Sequence, residues 1–136
     1  MQYSCVYVIL KTDNPELPES YGLTFTLGRG NEIIAQMCMS MQHLVVGALP
    51  ASTAHKPSAP PVKLNRVPTG KDLEVDILSN LMEFSRTLTQ DGQLRWIGPE
   101  KGVLSMACGA ILNGVWDMWT RKEGKLLAKL LCHSYS

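Results

Sequence analysis

The stretch from Ala48 to Pro68 limits the architecture of this chain more than any other feature. It holds Pro50, Pro57, Pro60, Pro61 and Pro68, with Ser, Thr and Ala between them, three basic residues and no acidic one. Each proline removes a backbone donor and disfavours helix in the residue before it, so no continuous helix or central strand crosses this region. It reads as a disordered loop or an inserted linker over 48–69. The chain is thereby divided into an ordered piece at 1–47, a second at 70–131 and a short tail at 132–136.

In the first piece, Tyr3 to Thr12 is rich in β-branched and aromatic residues, and turn chemistry follows from Asp13 to Ser20. A second run, Tyr21 to Leu27, alternates Leu23, Phe25 and Leu27 with Thr24 and Thr26, the period of a strand with one buried face. The spacing predicts an antiparallel pair whose leucine and phenylalanine row faces the core. A lone pair is marginally stable in water and needs a third strand or helices over it. After Gly28-Arg29-Gly30-Asn31, the residues Ile34, Met37 or Cys38, Met41 and Val45 form the apolar stripe of a helix, with Gly47 placed for a left-handed C-terminal cap.

In the second piece, Thr69 and Asp72 make a capping pair ahead of Leu73, Ile77, Leu81, Phe84 and Leu88, the clearest amphipathic helix in the chain. A polar turn at Thr89 to Gly92 ends it. Pro99 suits the first position of a further helix running through Val103, Met106, Ala110, Val115 and Met118 to Gly124. Its middle is built of small residues: Ser105, Ala107, Cys108, Gly109, Ala110 and Gly114. An interior glycine costs a helix up to about 1 kcal/mol, which makes sense where another backbone packs closely on that face. A short amphipathic stretch, Leu126 to Leu131, follows. No internal repeat is present. The fold class is α+β, an antiparallel strand pair followed by a helical bundle.

The length, 136 residues, suffices for one core but not for a (β/α) barrel of about 250 residues. Hydrophobic residues at 45% and charged residues at 18% are ordinary globular usage. The formal net charge of +1 gives no steering toward nucleic acid. No apolar run approaches the roughly 20 residues of a membrane span. The N-terminal residues carry neither a secretory signal nor an Arg-rich transit peptide, so the chain by itself reads as cytoplasmic.

Few residues suggest chemistry. Cys5, Cys38, Cys108 and Cys132 are far apart, each in an apolar pattern, and His43, His55 and His133 make no ligand spacing with them. Buried reduced thiols acting as small hydrophobes are the expectation, with no metal site. The strand, Gly28-x-Gly30 and helix resemble the opening of a phosphate-binding turn, but Ile33 stands where the third glycine belongs and no parallel βαβ unit follows. A tight strand-to-helix turn is the better reading. His43 reads as a half-buried surface histidine rather than a base. Asp72, Glu74 and Asp76 complement a helix dipole. Trp96, Trp116 and Trp119 read as core or interface anchors rather than a ligand wall.

One segment is more particular than these. LTQDGQLRWIGPEKGV, residues 88–103, resembles the signature of L-fuconate dehydratases and of a related mitochondrial branch of the enolase superfamily, in the mandelate racemase/muconate lactonizing enzyme group. The likeness continues through AILNGVWDMW (110–119), Glu123-Gly124-Lys125 and Lys129 to Leu131. Upstream, YSCVYV (3–8) and YGLTFTLGRGNE (21–32) are similar to the family's cap strands.

The resemblance implies an N-terminal capping domain, with its strand pair the remnant of a three-stranded sheet, and no barrel of its own. In the intact family the reaction is a magnesium-assisted dehydration of an acid sugar: a base removes the proton beside the carboxylate and the metal stabilises the enediolate. The metal ligands and bases come from barrel strands, so the resemblance assigns no catalytic residue and no cofactor to this chain. It implies a substrate-facing loop at Leu27, Gly28, Arg29 and Gly30, with Arg29 over the acid-sugar end of the ligand. The first cap strand has no counterpart, 48–69 stands as an insertion, and 132–136 departs from the family pattern. The expectation is a fragment or splice product that is catalytically incomplete. The rival readings are a portion of a full lyase and a non-enzymatic interaction module. The expected partners are the barrel domain, a full-length paralogue or a second copy, with no nucleic acid and no membrane. The family likeness points to mitochondria where the chain's own start points to the cytoplasm.

Overall fold

The computed structural model describes residues 3–12, 15–46, 77–98 and 100–133. The expected linker at 48–69, the Thr69–Asp72 cap, the acidic first turn at Asp72 to Asp76, Gly47, Pro99 and the 134–136 end of the tail lie outside the described residues.

Strands β1 (Ser4–Leu10) and β2 (Ser20–Thr26) pair antiparallel, with Ser4 opposite Thr26, Tyr7 opposite Leu23 and Leu10 opposite Ser20. Val, Tyr and Ile in β1 suit a pleated, half-buried surface. Beyond the ends of the pair, the exposed side chains of Lys11 and Glu19 meet at 2.6 Å. Among the described residues five helices follow: α1 (Asn31–Ser40), α2 (Gln42–Val46), α3 (Ile77–Gln90), α4 (Val103–Glu123) and α5 (Leu127–His133), with a 3₁₀ turn at Arg95–Ile97 between α3 and α4. The α+β class is as the sequence implies, and no barrel is present among the described residues.

The long helix α4 is the spine. It lies across the strand pair on one side and meets α1, α3 and α5 on others. The core gathers Ile34, Met37 and Met41 at α1, Leu81, Phe84 and Leu88 of α3, Leu130 of α5, and from α4 Leu104, Ala107, Ile111, Val115, Met118 and Trp119. Of the stripes expected for α1 and α3, Ile34, Met37, Met41, Leu81, Phe84 and Leu88 are buried and Val45, on α2, is partly so, while Leu73 and the side chain of Ile77 lie outside the described residues.

The sheet face is where expectation and structure part. Its alternation is present, but the row of Leu23, Phe25 and Leu27 is exposed, and Ser20, Gly22, Val6 and, in part, Thr24 face the helices. The reason is the depth of the α4 approach. A Cβ on Gly22 would stand 1.8 Å from the Ala110 carbonyl oxygen and 2.7 Å from the Gly114 nitrogen, so only a glycine fits there. Small residues on α4 let its backbone come down on the small face of β2, which leaves the bulky face open. Gly114 takes part in that approach, whereas Gly109 faces open space.

Two helix boundaries also differ from expectation. The first helix breaks at Met41, where the Ser40 hydroxyl donates to the Gln36 carbonyl at 2.9 Å and His43 Nδ1 lies 3.0 Å from the Ser40 carbonyl. Such local side-chain bonds compete with the helical ladder and bend it. The long helix begins at Val103 rather than at Pro99, because Lys101 takes a left-handed φ of 77° that interrupts helical geometry ahead of it. It ends as expected at Gly124, with φ 60° and its N–H on the Arg121 and Thr120 carbonyls.

Candidate functional site

The loop Leu27-Gly28-Arg29-Gly30 leaves the end of β2 and enters α1. Its position is set by hydroxyls of the two strand ends. The Thr26 hydroxyl lies 3.1 Å from the Gly28 carbonyl oxygen and 2.9 Å from Asn31 Oδ1, and the Ser4 hydroxyl lies 3.3 Å from the same carbonyl. Gly30 closes the turn as the N-terminal cap of α1 at φ 116°, a conformation that L side chains rarely adopt. Its carbonyl accepts from the Ile33 and Ile34 N–H groups at 3.0 and 3.3 Å. The two glycines have different reasons: Gly30 requires its backbone freedom, whereas Gly28 has nothing within 4 Å of a built Cβ and no left-handed φ.

Leu27 is exposed, continuing the open row of β2, and Arg29 is exposed with no hydrogen bond or ion pair among the described residues. The loop therefore presents an unpaired guanidinium on a backbone held firmly at both ends. A guanidinium offers a planar fork that matches a carboxylate. Nothing in the loop is a nucleophile or a base.

The other candidates fall into structural roles. Cys108 is buried and donates to the Leu88 carbonyl at 3.5 Å; burial first, then the neighbouring Cys38, pushes its thiol up to about 11. Cys38, half buried, is raised by burial as well. Neither is poised as a thiolate at neutral pH. Cys5 and Cys132 correct the expectation of four buried thiols: both are exposed, Cys5 because it stands opposite Phe25 on the open sheet face. Trp116 and Trp119 pack on one another with centroids 5.5 Å apart, and Trp119 is core. Trp96, at 80% exposure, is not a core anchor.

The signature segment at 88–103 is largely turn-forming in this fold. Asp91 Oδ1 accepts the Gln93 N–H at 2.9 Å, and the Asp91 carbonyl accepts the Leu94 and Arg95 N–H groups. This reverses the chain from α3 into the 3₁₀ turn and on toward α4. A contact that the sequence did not announce lies beside it. His43 Nε2 stands 3.9 Å from Asp91 Oδ2, whose oxygen is otherwise buried without a hydrogen-bond partner among the described residues. His43 is half buried, as expected. Sequence reading had no signal for its partner, which is distant along the chain and meets it where α1 and α3 both pack on α4.

Two clefts flank these elements. An apolar one of about 390 Å³ lies between β1 and α1–α2, lined by Val6, Val8, Leu10, Cys38 and Val45. A wider one of about 960 Å³ opens beside Arg95, Trp96, Lys101 and Ser105. Among the described residues no cluster of three His, Cys, Asp or Glu side chains is arranged to hold a metal ion. No helix of the described residues is long and apolar enough to cross a membrane.

The strand pair, its covering helices and the Leu27–Gly30 loop make up an α+β unit. Comparison with known proteins places that unit. The chain is 46% identical over 129 residues to mitochondrial enolase superfamily member 1 of Xenopus laevis and 48% identical to that of Bos taurus, covering 95% of this chain and 24% of each relative. It is 37% identical over 123 residues to the L-galactonate dehydratase of Hypocrea jecorina, covering 22% of that protein. The crystal structure of human mitochondrial enolase superfamily member 1 superposes with a TM-score of 0.70 at 39% identity, over 93% of this chain and 23% of that one. No family model matches the chain. The chain belongs to the enolase superfamily, and it spans about a quarter of the length of the curated relatives it matches.

Proposed function

We propose that this chain is the capping-domain portion of an acid-sugar dehydratase of the L-fuconate dehydratase type, and that it carries no complete catalytic centre of its own. The observation that supports this reading is the match itself: nearly the whole chain aligns with one quarter of enolase-superfamily proteins, one of which is named for dehydration of a sugar acid. In this reading Leu27 to Gly30 close over the substrate, with Arg29 facing its acid end, and magnesium and the bases belong to a barrel supplied by the rest of an intact enzyme or by a full-length paralogue. Carbohydrate-acid catabolism is the corresponding role. The mitochondrial names of the relatives make mitochondria the proposed compartment.

The test is a thermal melt of the purified chain with magnesium and L-fuconate added together and separately. No shift is expected, because a ligand stabilises only a state that binds it. An upward shift that saturates with L-fuconate overturns the claim of incompleteness. For the loop, replacing the arginine that aligns with Arg29 by alanine in an intact relative is expected to raise KM for the acid sugar. Unchanged KM and kcat remove Arg29 from the site.

A further inference from the structure

We propose that the open face of the β1–β2 sheet is a self-association surface, and that its occupant is the same face of a second copy of this chain. This inference concerns the side of the sheet that α4 does not cover; it shares only Leu27, at the strand end, with the loop of the capping reading.

The face is built from cross-strand pairs. Cys5 stands opposite Phe25, Tyr7 opposite Leu23, and Ile9 opposite Tyr21, all on the side away from the helices. Tyr7 is 66% exposed and Phe25 59%, and Leu27 at 64% extends the row past the strand end. Allowing about 200 Å² for each large side chain, the face leaves on the order of 650 Å² of apolar surface in water. That exceeds the few hundred Å² that monomeric proteins usually expose in one patch, and approaches the roughly 800 Å² per partner of a standard interface.

Its chemistry selects a second copy as occupant. None of its side chains is charged at neutral pH, so a copy related by a twofold axis meets no like charge in its centre. Charge is confined to the margin: the Lys11–Glu19 pair lies at one end, and the Arg121 guanidinium sits 5.3 Å from the centroid of the Tyr21 ring. An aromatic-rich apolar centre with a polar rim is the composition of a protein interface. Two such sheets pack face to face about 10 Å apart with strands near 30°, the geometry of a sandwich.

Growth at the edge of β2 is blocked. The Tyr21 N–H, which points away from β1, donates to Asp117 Oδ2 at 2.8 Å, and the Leu23 carbonyl accepts from Asn113 Nδ2 at 3.1 Å. Side chains of α4 thus occupy the groups that strand addition on that side requires. The face remains.

The experiment is sedimentation velocity on the full chain across about 1 to 100 µM, the range of a modest face-to-face interface. A concentration-dependent dimer is expected. Phe25→Glu puts a charge in the centre of the face, on the strand away from the free edge of β1, and is expected to weaken the dimer at least tenfold with an unchanged far-UV spectrum. Leu23→Thr, which suits a strand and adds no charge, is expected to weaken it less and serves where Phe25→Glu unfolds the hairpin. A chain that stays monomeric throughout the range overturns the proposal. So does association that neither substitution weakens, which would assign it to the β1 edge or to another surface.

Discussion

Placing a single methyl group at Gly22 is the sharpest test of how this fold is held together. A Cβ there meets the Ala110 carbonyl oxygen at 1.8 Å, against about 3.4 Å for an ordinary contact, and the obstacle is helix backbone rather than a flexible side chain. For Gly22→Ala to fold, α4 must retreat by about 1.5 Å, and a gap of even 0.5–1 Å forfeits a quarter to a half of each dispersion contact across it. The contacts at stake include Val6, Ile111 and Val115, all buried. Overpacking costs typically 1–3 kcal/mol, and the loosened contacts add to it, while relief of glycine's strand penalty returns about 0.5–1 kcal/mol. The net expectation is a loss of about 3 kcal/mol, a large share of a marginal stability of roughly 5–15 kcal/mol. Urea denaturation followed by circular dichroism measures it, as a lower midpoint at unchanged slope. Gly28→Ala, with nothing within 4 Å, is the control and is expected to lie within about 0.5 kcal/mol of the parent. A Gly22→Ala midpoint equal to that of the control refutes the close approach of α4, and with it the account of why the bulky sheet face is open.

Two further outcomes follow from α4. Asp117→Ala removes the acceptor shared by the Tyr21 N–H and the Arg121 Nε–H, both at 2.8 Å, and is expected to lower stability by about 1–2 kcal/mol by the same urea assay. Because burial raises the Cys108 thiol to about 11 from an ordinary 9.0, the folded state holds its proton more tightly than the unfolded one. Its contribution to stability is therefore complete below about pH 9 and is lost as pH rises toward about 11, a dependence that Cys108→Ala is expected to abolish. Thiol titration of the native chain at neutral pH is expected to modify Cys5 and Cys132 first, with Cys108 reacting only on unfolding.

Much of this architecture can be read from residue order alone. β-Branched and aromatic composition marks β1, period-two alternation marks β2, helical spacing marks the stripes of α1 and α3, and Gly124 ends α4, because these are properties of local backbone geometry. The proposed substrate-facing loop rests chiefly on family likeness: Leu27 to Gly30 carry no chemistry that spacing would reveal, and Gly30 alone shows its backbone requirement in its residue type. Which face of the sheet is buried was not legible. Alternation is symmetric under exchange of faces, and hydrophobicity favoured the Leu23–Phe25–Leu27 row. The tertiary structure decided otherwise, because backbone contact between Gly22 and Ala110–Gly114 is available only on the small side. The meeting of His43 with Asp91 likewise depends on side chains that come together only when the helices assemble; the break at Met41 is local, set by the Ser40 and His43 side chains. Residue order settles what each segment is; the closest approach of two backbones settles which side of it water sees.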